Sequence, residues 1–478
     1  MRCRAEPYRI KMVEPLPRTT EEERHACIVT AGYNTFLLPS NAVTIDLLTD
    51  SGTNAMSAQQ WAGMMVGDEA YAGAVSFTHL EEAVRDVYGY RHIVPTHQGR
   101  GAEHILAKLL IKNGDVIPGN MYFTTTRLHQ ELAGGTFCDV IIPAAHVPTS
   151  THPFKGDVDI AALRALIAEC GPQRIPYLSI AATVNMAGGQ PISLRNLREV
   201  RAVAQDHRIR VILDIARIAE NAFFIQQREP GCAGKTVRAI VRELCDLSDG
   251  AAMSAKKDPC CNIGGFLALN DPLLYEEACR LVVIYEGLHT YGGMAGRDME
   301  AVAIGIRESV DDDHIRARVE QVAYLGDQLR TTGIPLVLPV GGHGVYIDAK
   351  RFLPHIPHDA FPAQTLAAAV YVDSGIRTME RGIVSAGRNP ATGDHYYPKL
   401  ELVRIAIPRR VYTNAHMDAV AESVARVFAQ REDLHGLQMI VEPKYLRFFQ
   451  ARFKPLSFTL PLSSETQTRA TGHSSRTR

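Results

Sequence analysis

Short apolar runs alternate with stretches of helical periodicity from about residue 56 to residue 310. Residues 92–95, 139–142, 177–181, 211–213 and 265–269 read as strands. Residues 103–111, 160–169, 194–206 and 236–245 carry apolar side chains at spacings of three and four, which predicts helices with one buried face. Such alternation is the mark of βαβ units around a mainly parallel sheet. After residue 311 the pattern changes. A long helix over 314–331 precedes apolar runs at 337–340 and 345–348, split by Gly-Gly-His-Gly. Residues 402–407 alternate like a strand with one exposed face, and 416–430 are helical.

These patterns predict an α/β fold in two parts. Residues 56–310 form a large α/β domain, and 21–55 with 311–456 form a smaller α+β domain. Residues 1–20, rich in proline and charge, read as an extended N-terminal arm. Residues 457–478, rich in Ser, Thr and Arg, read as a disordered tail. There is no internal repeat.

Composition narrows the function. With 51 basic and 52 acidic side chains, the chain has no global field for nucleic acid or an anionic membrane. No apolar run reaches the roughly 18–20 residues that span a bilayer. The charged start, Met1-Arg2-Cys3-Arg4, lacks an apolar signal core, so a cytoplasmic protein is expected. Nine scattered cysteines without a C-x-x-C pair point to reduced thiols. The adjacent Cys260 and Cys261 read as packing.

The candidate chemistry centres on Lys257, at the end of Met-Ser-Ala-Lys-Lys, and on Asp214, at the end of the 211–213 strand. A lysine after a small, hydroxyl-bearing turn and an earlier strand-end aspartate is how many enzymes hold pyridoxal phosphate. The lysine forms the Schiff base and the aspartate faces the pyridine nitrogen. Gln98, Gly99 and Arg100, between a strand and a helix, suit a phosphate, with backbone N–H groups and a helix start. Ser254 is a second phosphate donor. Asn185 and Arg217 are placed to hydrogen-bond the cofactor's phenolic oxygen. Taken singly, a strand-end Asp reads as a turn residue and a lone Arg as a solvated charge. Five such residues in this order do not.

From residue 5 to residue 456 the sequence resembles the β-eliminating lyases, a family that holds phenol-releasing and indole-releasing enzymes. The stretches that carry the likeness are Ile-Asp-Leu-Leu-Thr-Asp-Ser-Gly-Thr-Asn-Ala-Met at 45–56, Gly-Asp-Glu-Ala-Tyr at 67–71 and Pro-Thr-His-Gln-Gly-Arg-Gly at 95–101. Ala-Gly-Gly-Gln-Pro at 187–191, Tyr-Gly-Gly at 291–293, Glu-Pro-Lys at 442–444 and Leu-Arg-Phe-Phe at 446–449 add to it. The resemblance implies the pyridoxal-phosphate fold type I, aspartate aminotransferase-like, in a homotetramer with active sites at a subunit interface. It implies that Phe123 stacks on the cofactor and that Lys256 joins the cofactor-binding set. Thr49, Ser51 and Arg404 would bind the substrate, Arg404 as a bidentate carboxylate clamp. Phe36, Leu288, Phe448 and Phe449 would surround it. Tyr71 from a neighbouring subunit would be a general acid. Gly52, Glu69 and Asn262 would surround a monovalent cation, usually potassium.

Two positions separate the branches of the family. Phenol-releasing members place Thr and Arg where this chain has Thr124 and Arg381; the indole-releasing members have an acidic and an apolar residue there. Asn54 also fits the phenol-releasing pattern. The implied reaction is reversible β-elimination of L-tyrosine to phenol, pyruvate and ammonium, with Lys257 as Schiff base and Cα base. Thr124 and Arg381 would recognise the phenol hydroxyl. A related lyase acting on tryptophan or on a modified tyrosine such as 3,4-dihydroxyphenylalanine is the alternative. A non-catalytic scaffold of the same fold is the other. Leu288, His289, Ala216, Val75 and Thr78 depart from the common phenol-lyase pattern. They leave every catalytic group in place and bear on which ring substituents fit.

Overall fold

Seven short strands make the central sheet of this computed structural model, which describes residues 5–389 and 392–456. In chain order they are β1 (His92–Thr96), β2 (Val116–Gly119), β3 (Thr136–Asp139), β4 (Tyr177–Ala181), β5 (Arg210–Asp214), β6 (Gly250–Ser254) and β7 (Gly265–Leu269). Their spatial order is β1-β7-β6-β5-β4-β2-β3. Only β7 runs against the others. Residues 255–264, which join β6 to β7, are too few to house a crossover helix, so the chain must return antiparallel. Lys257 lies in that connection. The strands that run the same way end on one edge of the sheet. Ligands in open α/β sheets bind at such carboxyl ends.

Among the flanking helices, Ile160–Cys170, Leu194–His207 and Val237–Cys245 follow their predicted periodicity closely. The helix after β1, α1 (Gly99–Leu110), starts four residues before its predicted start, because the glycines at 99 and 101 hide the apolar spacing. A second core gathers Ile45 and Leu47 with apolar residues between Val322 and Leu434. Its sheet has three antiparallel strands, β8 (Gly344–Asp348), β9 (Met379–Arg381) and β10 (Leu402–Ala406), in the order β9-β10-β8.

Two expectations are corrected. The strand placed at 139–142 lies at 136–139, because the Asp139 carboxylate accepts from Met121 N and Ile141 N (3.0 Å each) and turns the chain. β10 has no exposed face. It is the middle strand and is buried throughout, Arg404 included. The predicted tail at 457–478 lies outside the described residues. Residues 5–20 form neither helix nor strand, and the helix Glu21–Thr30 begins with a capping box made by Thr20 and Glu23.

The two cores meet at a buried ion network that no local pattern announces. Asp50 accepts from Arg217 through Nη2 (2.6 Å) and Nε (3.0 Å), and from Arg409 Nη1 (3.1 Å). Arg409 Nη2 also reaches Glu220 (2.5 Å) and Asp258 (2.7 Å), and Arg318 Nε reaches Glu220 (3.2 Å). Three carboxylates thus balance three guanidiniums. Burial raises the Asp50 carboxyl, but Arg217 beside it outweighs burial and holds it well below the ordinary carboxylate range. Removing one partner leaves buried charge uncompensated at a cost of about 3–5 kcal/mol. Arg409→Met should therefore lower the thermal midpoint clearly in a calorimetric scan, while Arg330→Met on the exposed face of Asp312–Thr331 leaves it in place. Equal midpoints for the two variants would contradict the role given to the network.

Candidate functional site

The sheet edge explains how residues distant in sequence meet. Thr96, which ends β1, and Ser254, which ends β6, both pair with Gly265 at the start of β7. Gln98 and Gly99 therefore arrive beside Ser254. A Cβ on Gly99 would stand 2.7 Å from Ser254 Cβ, so only glycine lets the start of α1 approach this closely. The result is a cradle made of a helix N-terminus, a serine hydroxyl, Arg100 and Lys256. Lys256 Nζ donates to Gln98 Oε1 (3.2 Å). Its chemistry suits a phosphate.

Asp214 ends β5 next to the cradle, and its Oδ1 accepts from Ala216 N (3.0 Å). Lys257 Nζ donates to Ser254 Oγ (2.8 Å). Burial, reinforced by the nearby Arg217 charge, pulls the Lys257 ammonium from its ordinary 10.5 down to about 8. Asn185, just beyond β4, accepts on Oδ1 from Tyr346 OH (3.1 Å) and Arg404 Nη1 (3.4 Å), while its buried Nδ2 has no partner. An unused donor beside Lys257 and Asp214 fits the phenolic oxygen of pyridoxal phosphate. Arg217, which also lines the cavity, gives Nε and Nη2 to Asp50.

The lining of one cavity of ≈ 250 Å³ includes Phe36, Thr49, Ser51, Gln98, Gly99, Arg100, Phe123, Thr124, Asn185, Asp214, Arg217, Ser254, Lys256, Lys257, Arg381, Arg404, Phe448 and Phe449, beside others such as Met121, Tyr122, Thr183 and Met379. The first eighteen are sequence candidates; the last four are not. Two guanidiniums stand out by what they lack. Arg404 Nη2 donates to Leu48 O (2.8 Å), but its Nε is buried without a partner. Arg381 is buried between the rings of Phe123 (5.8 Å) and Phe448 (5.5 Å), and its Nε and Nη1 have no acceptor. Neither arginine meets a carboxylate among the described residues. Burial, with Arg404 nearby, lowers Arg381 to about 9. Thr124 opens the helix α2 (Thr124–Leu132), whose first turn has no side-chain cap. Its free N–H groups favour negative charge at the same end of the cavity. Phe36 meets Phe448 (5.6 Å) and Phe449 (5.0 Å) edge-on and closes the apolar side.

Five predicted residues lie outside this cavity. Tyr71 is 76% exposed and packs on Tyr291, with ring centroids 5.6 Å apart. Leu288 is half-buried elsewhere, as is His289, whereas Ala216 does line the cavity. The proposed cation ligands are assembled only in part. Asn262 Nδ2 donates to Gly52 O (3.0 Å), but Glu69 is exposed and paired with Arg297 (2.9 Å). Within one chain these residues form no cation cage.

Sequence reasoning missed Asp50, which orients Arg217, and Glu103, a buried carboxyl that accepts from Thr126 Oγ1 (2.7 Å) at the cavity wall. Asp50 carried one signal, its place between Thr49 and Ser51. Glu103 carried none beyond its helical spacing.

A strand-end aspartate, a lysine in the adjoining turn and a phosphate cradle on one sheet edge define a pyridoxal-phosphate enzyme of fold type I. Solved structures agree on the fold. A serine palmitoyltransferase from Sphingomonas wittichii superposes with TM-score 0.58 at 15% identity over 86% of this chain and 97% of its own. A threonine aldolase from Leishmania major gives 0.56 at 14% identity over 80% and 99%. The particular family follows from sequence: residues 46–423 match the β-eliminating lyase family, and the chain belongs to it. Similar relatives are the tyrosine phenol-lyases of Nostoc punctiforme, 67% identical over 94% of this chain and 96% of theirs, and of Symbiobacterium thermophilum, 63% identical over 95% and 99%. That of Pasteurella multocida is 58% identical over 94% and 98%.

The lowered Lys257 pKa has a direct consequence. Below about pH 8 the amine is protonated and cannot attack an aldehyde; above it the free amine can. Adduct formation with added pyridoxal phosphate should therefore speed up from pH 7 to 9 and then level off. Borohydride reduction and peptide mapping should find the label on Lys257. A label on Lys256, or a rate still climbing toward pH 10.5, would refute the assignment.

Proposed function

We propose that the protein catalyses β-elimination of L-tyrosine to phenol, pyruvate and ammonium. The observation that carries the reading is the buried, unpartnered Arg381 beside Thr124, in the same cavity as Lys257 and Arg404. A guanidinium between two rings, with two donors unused, calls for an oxygen on an aromatic substrate. The tyrosine phenol-lyase names of its relatives support the same reaction.

Pyridoxal phosphate, when bound by Gln98, Gly99, Arg100, Phe123, Asn185, Asp214, Arg217, Ser254, Lys256 and Lys257, supplies a ring that takes up the electron pair released at the substrate Cα. The chain's own groups do the rest. Arg404, with Thr49 and Ser51, holds the substrate carboxylate and so presents the Cα–H to Lys257. The Lys257 amine, at about 8, is basic enough to take that proton and is partly free at neutral pH. A phenyl carbanion cannot leave. The ring carbon joined to Cβ must gain a proton while the phenol O–H loses one. Arg381, Thr124 and the start of α2 stabilise the charge at that oxygen. Phe36, Phe448 and Phe449 exclude water around the ring.

The ring-carbon proton is assigned to Tyr71 of a partner subunit. Trp61, Met65, Val66, Tyr71 and Val75 form an exposed apolar stretch, which supports an oligomer that buries it. In this reading the protein is a homotetramer with its sites at subunit interfaces. A monovalent cation such as potassium would bind where a partner's Glu69 adds to Gly52 and Asn262. The cysteines in the described residues are all free, in keeping with a cytoplasmic setting. No helix among the described residues is long and apolar enough to cross a membrane.

Purified protein with pyridoxal phosphate, potassium and tyrosine should release phenol and pyruvate in equal amounts. Phenylalanine should be rejected by a factor of ~10⁴, because it leaves Arg381 and Thr124 without their acceptor. Arg381→Met should lower kcat/KM on tyrosine by about 10²–10³. Indole from tryptophan at a comparable rate, or phenylalanine cleaved as fast as tyrosine, would refute the reading.

A further inference from the structure

Among the described residues Arg381 has no ion pair to hold it, so beyond the rings of Phe123 and Phe448 its position comes from its backbone. β9 ends at Arg381, and the chain then makes a helix of only four residues, Ile383–Ala386. So short a helix has no stability of its own. Two buried carboxylates grip its donors. Glu380 Oε1 accepts from Gly382 N (2.5 Å) and Val384 N (3.0 Å), and its Oε2 accepts from Ser385 N (3.0 Å) and Ser385 Oγ (2.7 Å). Glu401 Oε2 accepts from Ile383 N (2.7 Å) and His358 Nε2 (2.8 Å). A Cβ on Gly382 would sit 2.0 Å from Glu401 Oε2, so glycine alone permits this contact. From the other side Arg447 donates to the carbonyls of Val384 (3.0 Å), Ile383 (2.5 Å) and Gly387 (3.2 Å). The residue after Arg447 is Phe448, whose ring faces the Arg381 guanidinium.

We propose that Glu380 is a positioning residue for the phenol-oxygen contact: its carboxylate gathers the backbone donors of residues 382–385 and thereby fixes Arg381 at the end of the cavity. The inference rests on the reading of Arg381 given above. Glu380 touches no substrate. The carboxylate has four acceptor sites and uses four donors. A glutamine would turn an NH₂ group toward backbone N–H groups and break the grip. A displacement of about 1 Å in a group that meets the reacting atoms costs on the order of 100-fold in rate.

The test compares tyrosine with β-chloroalanine. Chloride leaves Cβ without ring protonation and without any contact to Arg381, while Lys257 and Arg404 serve both substrates. Glu380→Gln should lower kcat/KM on tyrosine about 100-fold and leave β-chloroalanine within about threefold of the parent. Arg381→Met should split the two substrates the same way. The double variant should be no worse on tyrosine than Arg381→Met alone, because both changes remove one contact. Ser385→Ala, which deletes a single donor and spares the fold, should give a weaker split in the same direction. Equal losses on both substrates for Glu380→Gln and Ser385→Ala, or losses that multiply in the double variant, overturn the positioning role. Should Arg381→Met itself fail to split the substrates, the reading of Arg381 falls, and this inference with it.

Discussion

The bidentate pair between Asp50 and Arg217 is the constraint on which the site depends. Arg217 follows β5 by three residues and belongs to the sheet that carries Asp214. Asp50 lies between Thr49 and Ser51, close to the second core. Taking these charges out of water is costly unless geometry and added hydrogen bonds compensate. Here Arg409 supplies that compensation by joining Asp50 to Glu220 and Asp258. Asn54 extends the tie to the lysine turn: its Nδ2 reaches Asp50 O (2.8 Å) and Lys256 O (2.9 Å), and its Oδ1 accepts from Arg409 N (2.8 Å). One network therefore sets Thr49 and Ser51 against Lys257 and Arg217 against the cofactor's place.

The same charges give the cavity its chemistry. Arg404 and Arg381 are both buried and meet no carboxylate among the described residues, so an anionic group is favoured beside each. An amino acid with a carboxylate at one end and an acidic hydroxyl at the other meets that demand. Burial and Arg217 also work against the Lys257 ammonium, which makes the base available at a lower pH. Substrate recognition and base activation are thus two effects of one positive, poorly solvated enclosure.

What the sequence made legible was local. Gln98 and Asp214 are legible because each ends or follows a strand, and strands that run together end together. Lys257 and Ser254 are legible because a small, hydroxyl-bearing turn, Met-Ser-Ala-Lys-Lys, carries them. The rest depends on partners far apart in the chain. Asp50 meets Arg217 at a separation of 167 residues, and nothing in Thr-Asp-Ser says which arginine will come. β10 was misread for an instructive reason. Arg404 made its alternation look like a solvent face, whereas the arginine is buried and turned into a cavity. β2 (Val-Ile-Pro-Gly) is hidden by its proline and glycine, and β6 (Gly-Ala-Ala-Met-Ser) by its lack of the β-branched and aromatic residues that mark strands. Tyr71, Leu288 and Glu69 came from the resemblance rather than from spacing, and a single chain leaves them outside the cavity.

A fold of this kind hosts many reactions, so its lysine and aspartate cannot by themselves decide which bond breaks. In the proposed reaction the decision falls to elements outside the sheet edge: the uncapped start of α2 and the end of β9. Both are backbone features before they are side-chain features. Thr124 stands where a helix begins without a side-chain cap, and Arg381 stands where a strand turns into a helix too short to hold itself. Glu380, Glu401 and Arg447 make that turn rigid with a set of hydrogen bonds nearly independent of the ion network at Asp50. Two separate clasps follow, one for the common chemistry at Cα and one for the leaving group. Such separation lets the leaving-group end change its substrate without disturbing the lysine, and it explains why a substitution at either clasp should have its own kinetic signature.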